Sequence, residues 1–242
     1  MQEQKNYINL NIKVCDKMNG INDFKRVANE IACELKNIKK FWDGKSAIME
    51  MKDNGYNQWK QMEWIGFYFQ YLCEKNLKNV MKIPGNKYGN VEFDAFKDND
   101  WDFKCHIQKD GNGKNNSALI INDVKAINDA INKYGSVGLI VGLGTAKFND
   151  EDRTFQNWVE NLKGGKSKYE EKRIERGASS RLRKVAFNLE CVMYIKIDQG
   201  NLKNLDKYNQ GKNSNGNERE PKYRFNLNNL DMFEHYSSSQ LC

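Results

Sequence analysis

The sequence predicts an α/β fold in which a mixed central sheet is flanked by helices. Residues 91–107, VEFDAFKDNDWDFKCHI, alternate apolar and polar side chains as two half-buried strands do. Ile121, Val124, Ile127, Ile131 and Tyr134 recur at spacings of three and four, the stripe of an amphipathic helix, and Gly135 follows as a C-terminal cap. VGLIVGL, from Val137 to Leu143, is a continuous apolar run, as expected of a strand covered on both faces.

The remaining elements follow the same logic in chain order. Ile8, Leu10, Ile12 and Val14 alternate with polar neighbours and predict a strand over Tyr7–Val14. Phe24, Val27, Ala28, Ile31, Leu35 and Ile38 predict a helix, with Asn22 or Asp23 as its cap. A second helix is expected from about Asn57 to Lys75, apolar on nearly every side and therefore central, with Glu63 as its one acidic residue before the final turn. Pro84-Gly85 marks a loop into strands Asn90–Phe96 and Trp101–Ile107, and the Gly/Asn-rich DGNGKNN ends the second of them. Beyond Leu143 the pattern gives a helix near Phe155–Leu162, a basic stretch, a strand over Leu189–Ile197, and an exposed Asn/Gly/Lys-rich loop over Gln199–Pro221. A length of 242 residues with no internal repeat suits one domain spanning 1–242.

Composition narrows the partners. Hydrophobic residues at 39% supply a core, which argues against bulk disorder. A net charge of +7, from 39 basic and 32 acidic residues, favours an anionic partner, nucleic acid first. The six cysteines show no CxxC and no zinc spacing, so they read as reduced thiols. The N-terminal residues lack a secretory signal and no run approaches the length of a membrane span, so a soluble, cytoplasmic protein with no membrane partner is expected. Two histidines, and glycines that form neither a GxGxxG nor a P-loop, leave little material for histidine-based or nucleotide-driven chemistry.

The densest chemistry lies in the hairpin. Glu92 and Asp94 share one face of the first strand, and Asp102, Lys104 and His106 share one face of the second. Matching the two polar faces requires an odd number of loop residues. A loop of Lys97-Asp98-Asn99, with Asn99 accepting the left-handed conformation, sets Asp94 opposite Asp102 and Glu92 opposite Lys104; a five-residue loop sets Asp94 opposite Lys104 instead. Carboxylates this close repel unless a cation or a raised pKa relieves them, and hard oxygen donors suit Mg²⁺. The alternative is a solvent-facing hairpin whose charges serve solubility alone.

Asp94 followed by Asp102-Phe103-Lys104 resembles the metal-binding and catalytic signature of the PD-(D/E)XK nuclease superfamily, to which most type II restriction endonucleases belong. Phe93 stands where that motif has proline, and the spacing between the two acids is short. The order of elements over about residues 57–145 is also similar: a helix bearing a glutamate, an acidic strand, the (D/E)XK strand, a helix and a buried strand. The resemblance implies a PD-(D/E)XK nuclease-like core and Mg²⁺-dependent, site-specific hydrolysis of double-stranded DNA. It further implies that Asp94, Asp102 and the Phe103 carbonyl hold the metal and that Lys104 orients or activates water. Glu63 would serve as an outer or second-metal ligand, with Glu92 a lesser candidate.

DNA contacts are expected from a basic region over about 163–224. Residues 163–184 hold nine basic and three acidic side chains, 9 − 3 = +6, nearly all of the net charge. Arg173, Arg176, Arg181, Arg183 and Lys184 are the candidates there, with Arg219 and Arg224 from the loop KNSNGNEREPKYR. His106 could touch a phosphate or water, whereas His235 has no evident role. A palindromic target would call for a homodimer. The rival readings are a structure-specific repair or recombination nuclease and a basic DNA-binding protein without catalysis.

Overall fold

The computed structural model describes residues 23–84, 92–149, 151–178, 182–212 and 216–241. The predicted strand Tyr7–Val14 lies outside the described residues, as do Asn90, Val91 and Arg181. The architecture is mixed α/β, with a mixed central sheet flanked by helices.

Helix α1 (Asp23–Leu35) buries Phe24, Val27, Ala28, Ile31, Ala32 and Leu35 as one stripe. A short strand β1 (Phe41–Asp43) and helix α2 (Gly44–Asp53) follow; Asp43 starts α2 by accepting the Ser46 N–H at 2.9 Å. The single helix expected from Asn57 to Lys75 is instead a 3₁₀ turn, Asn57–Lys60, and a separate helix α3, Trp64–Leu77. Buried Trp64, Tyr68, Phe69 and Leu72 of α3 join the cores of α1 and α2 against one face of the sheet.

Strand β2 (Ala95–Lys97) pairs antiparallel with β3 (Asn99–Ile107), Ala95 opposite Trp101 and Lys97 opposite Asn99. This is the register of the three-residue loop, although the left-handed residue is Asp98 (φ 62°) rather than Asn99. Asn99 is buried, and its amide donates to the Ser136 carbonyl. Strand β4 (Ala118–Asp123) then leaves the central sheet, so Ile121, expected on the helix, is a buried strand residue. Helix α4 (Val124–Tyr134) ends as expected, Gly135 at φ 83° donating its N–H to the Ile131 carbonyl.

Strand β5 (Ser136–Phe148) runs parallel to β3, closing a strand–helix–strand crossover. Its Leu139 and Val141 pack on the α4 side and its Ile140 on the α1–α3 side, so it is covered on both faces. Any Cβ at Gly138 would fall 2.3 Å from the Trp101 ring, so the glycine lets the indole lie across β5 and seats the strand that carries Asp102. Helices α5 (Thr154–Leu162) and α6 (Lys168–Glu175) precede β6 (Lys184–Asp198), which is longer than the predicted Leu189–Ile197 because it pairs along most of β5.

Part of the expected 199–221 loop is ordered strand. β7 (Asp206–Tyr208) pairs with β8 (Lys222–Asn226), and the same register continues to a bridge between Lys212 and Glu218. β4, β8 and β7 make a second sheet that shares a core with α4 through Leu119, Ile127, Tyr223 and Phe225. A last strand, β9 (His235–Ser237), pairs with β6, and the central sheet has the order β1-β6-β5-β3-β2. Cys73, Cys105 and Cys191 are free thiols. Among the described residues no helix is long and apolar enough to cross a membrane.

Candidate functional site

Beyond Trp101 the short β2 no longer covers β3, and the chain just before β2 bends so that Asp94 caps the free edge. The Asp94 N–H donates to the Trp101 carbonyl at 3.0 Å, and its Oδ2 accepts the Phe103 N–H at 2.7 Å. Asp94 is thereby held opposite Asp102. Asp102 and Lys104 pair with Leu139 and Val141 of β5, so both project from the α4 side of the sheet, while Trp101 and Phe103 are buried among α1–α3. Since N–H and C=O of one strand residue point the same way, the Phe103 carbonyl also faces the open edge beside Asp94.

Lys104 Nζ lies 2.8 Å from Asp102 Oδ2, with Asp102 only 4% and Lys104 27% exposed. The lysine therefore reaches outward from a buried carboxylate. The ion pair lacks hydrogen-bond geometry, and Asp102 Oδ2 is left buried without a hydrogen-bond donor. Burial, reinforced by the Asp102 charge, pushes the Asp94 carboxyl well above the usual range, while Lys104 and the Phe103 N–H pull it back. Burial also works against the Lys104 charge, but Asp102, Asp94 and Asp123 outweigh it and its pKa is raised. Two carboxylates and one lysine thus share a site of low polarity in which Asp94 holds its proton more tightly than a free carboxylate does.

The oxygen donors available to a hard divalent cation are the carboxylates of Asp94 and Asp102 and the Phe103 carbonyl. The unsatisfied Asp102 Oδ2 is the atom whose environment such an ion would complete, so these residues fit Mg²⁺, which retains several waters. Among the described residues no group of three His, Cys, Asp or Glu is arranged to hold a metal, so carbonyl and water oxygens would have to supply the rest.

No protein family, curated protein or solved structure matches this chain. The site must therefore be read from its own geometry.

Two residues that the sequence did not single out belong to it. Gln70 of α3 donates to Asp94 Oδ1 at 2.7 Å, and Glu74, one turn on, accepts from the Tyr56 hydroxyl at 3.2 Å. Burial raises the Glu74 pKa, with Tyr56 and Gln70 opposing it. The visible signal was a polar residue, Gln70, in the middle of a helix otherwise apolar on every side.

Glu63 is not brought to the site. It sits at the N-terminal boundary of α3, is 61% exposed, and pairs with Lys184. Seven residues separate it from Gln70, about 10 Å along a helix. Glu92 is exposed, and its backbone carbonyl, not its carboxylate, is engaged, by Asn122. His106 is buried with Nε2 2.8 Å from the Asn116 carbonyl; burial lowers its pKa, and the neutral ring anchors the loop after β3. His235 contacts the Phe233 carbonyl through Nδ1.

The basic region is also redistributed. Arg173 is buried and bonded to Glu170 at 2.6 and 2.8 Å, and it donates to the Ala178 carbonyl, so it holds α6 in place and is removed from the DNA-contacting set. Arg153 and Gln156 also donate to Glu170, whose pKa is pulled down to about 2, chiefly by Arg173. Arg183 is half-buried against Gln156, Lys184 pairs with Glu63, and Arg224 pairs with Asp206 across the β7–β8 ribbon. Lys168, Lys172 and Arg176 of the α6 region and Arg219 of the ribbon are exposed.

Proposed function

We propose that the chain is a Mg²⁺-dependent endonuclease that hydrolyses phosphodiester bonds of double-stranded DNA at a specific sequence, with a PD-(D/E)XK nuclease-like core. The observation that carries this reading is the pairing of Asp94 with Asp102 at the open edge of β3, with Lys104 2.8 Å from Asp102 on the same strand face. The order helix, acidic hairpin, helix, parallel strand around it supports the same reading.

Asp94, Asp102 and the Phe103 carbonyl would hold the ion, which when bound supplies a water of lowered pKa and a positive charge against the phosphate. The chain's own residues do the rest. Trp101 and Phe103 anchor β3 in the core, so Asp102 and Lys104 present fixed positions to a phosphate at the strand edge. Lys104, kept protonated by its acidic neighbours, offers N–H donors to the attacking water or to a phosphate oxygen where negative charge grows. Gln70 and the Phe103 N–H fix the Asp94 carboxylate by one oxygen each.

Incubating supercoiled plasmid with the protein, in Mg²⁺ and in EDTA, and sequencing the ends tests the reading. Cuts at discrete recurring positions in Mg²⁺ alone are expected; scattered ends would favour a structure-specific nuclease, and binding without nicking a non-catalytic DNA-binding protein.

The exposed side of α6 is the surface proposed to meet phosphates: Glu170 consumes Arg173, and Lys168, Lys172 and Arg176 stay outward against the exposed Glu171 and Glu175. Replacing those three by Gln is expected to flatten the dependence of log K on log salt by about 0.9 for each phosphate no longer neutralised, up to roughly 2.7 in total. An unchanged slope in a filter-binding or anisotropy titration would place the DNA backbone against another surface.

A further inference from the structure

We infer that this site takes one divalent cation and not two, because α3 turns an amide, Gln70, toward Asp94 where a second ion would need a carboxylate. The inference rests on the metal-dependent function proposed above.

Two-ion sites hold their metals about 3.5–4 Å apart and share carboxylates that bridge them. Each Asp94 oxygen already accepts an N–H, Oδ1 from Gln70 and Oδ2 from Phe103, both at 2.7 Å, which leaves one acceptor position on each for metal. The Gln70 N–H aimed at Oδ1 puts partial positive charge beside that oxygen and competes with a second ion for it. With the ion bound Asp94 is ionised, and opposite an ionised carboxylate the Gln70 amide presents its NH₂.

The acid of α3, Glu74, already has a partner. Glu74 is tied to the Tyr56 hydroxyl at 3.2 Å, leaving Gln70 between it and Asp94. With no group of three metal-ligating side chains among the described residues, the donor set is already thin for one ion.

The test is the number of Mn²⁺ ions bound per chain, read from the free-ion electron paramagnetic resonance signal without DNA, with Asp102→Ala as background. The wild-type chain is expected to bind one ion. Gln70→Glu, of the same size, supplies the missing carboxylate and is expected to bind a second. Gln70→Ala is expected to keep one, held about tenfold more weakly because Asp94 loses its fixed orientation.

Two ions in the wild-type chain, or a Gln70→Glu variant with unchanged number and affinity, would overturn the inference while leaving a metal site in place. No ion above the Asp102→Ala background would instead remove the metal-dependent function itself, and this inference with it. Melting curves of all four proteins check that each is folded.

Discussion

Lys104→Ala is expected to leave a folded protein that still binds divalent cation but cleaves duplex DNA at least about 100-fold more slowly, the usual cost of losing one positioned donor beside developing charge. The ion pair explains the separation of the two effects. Asp102 is 4% exposed and fixed by its strand, whereas Lys104 is 27% exposed and extends toward solvent from the same face. Removing the lysine takes away a donor beside the phosphate and a competing cation, while both carboxylates remain. Metal affinity should therefore hold or rise as cleavage falls. Single-turnover cleavage and Mn²⁺ titration on one preparation measure both; full-rate cleavage by Lys104→Ala would deprive the lysine of its role.

Asp94→Asn is expected to stabilise the metal-free protein at neutral pH and to remove part of its pH dependence. Burial and the Asp102 charge hold the folded-state pKa of Asp94 above its unfolded value, so the native state binds this proton more tightly. That contribution is fully present below the unfolded carboxylate pKa and is lost as pH rises through the folded one. Asparagine has no charge to lose, and Gln70 can turn its amide to accept from the new NH₂. Because Glu74 is raised by burial as well, the readout is the difference between the two proteins melted in EDTA across that window. Mg²⁺ should flatten the wild-type curve by stabilising the ionised pair. Parallel curves for the two proteins would mean that burial and Asp102 do not raise the Asp94 pKa in the folded state.

The hairpin was legible because two independent rules agree on it. Period 2 put Asp102 and Lys104 on one face, and loop parity put Asp94 opposite Asp102, as the register Ala95–Trp101 shows. The apolar stripe of α4, its Gly135 cap and the buried run of β5 were equally readable, since each is a local pattern with a tertiary consequence. Element order alone could not place Glu63. A glutamate contributes only if it lies on the right turn of its helix, and α3 begins one residue after Glu63, about two turns short of Asp94's partner.

Charge counting failed in a related way. It registered Arg173 as available and could not see that Glu170, with Arg153 and Gln156 from outside α6, would bury it. β7 was hidden because its three residues, Asp206–Tyr208, are all exposed and carry no apolar alternation, whereas β8 does alternate, with Tyr223 and Phe225 buried. β1 and α2 are too short for a convincing stripe, and α2 buries little beyond Ala47, Ile48 and Met51.

The most direct test of the active-site assignment is cleavage of one plasmid by wild-type and Asp102→Ala protein purified in parallel, each assayed in Mg²⁺ and in EDTA. Cutting is expected only from the wild-type chain in Mg²⁺, with the variant folded, still able to bind DNA, and inactive in both buffers. Cleavage by Asp102→Ala at the wild-type rate would contradict the assignment and place any nuclease activity outside the Asp94–Asp102–Lys104 site.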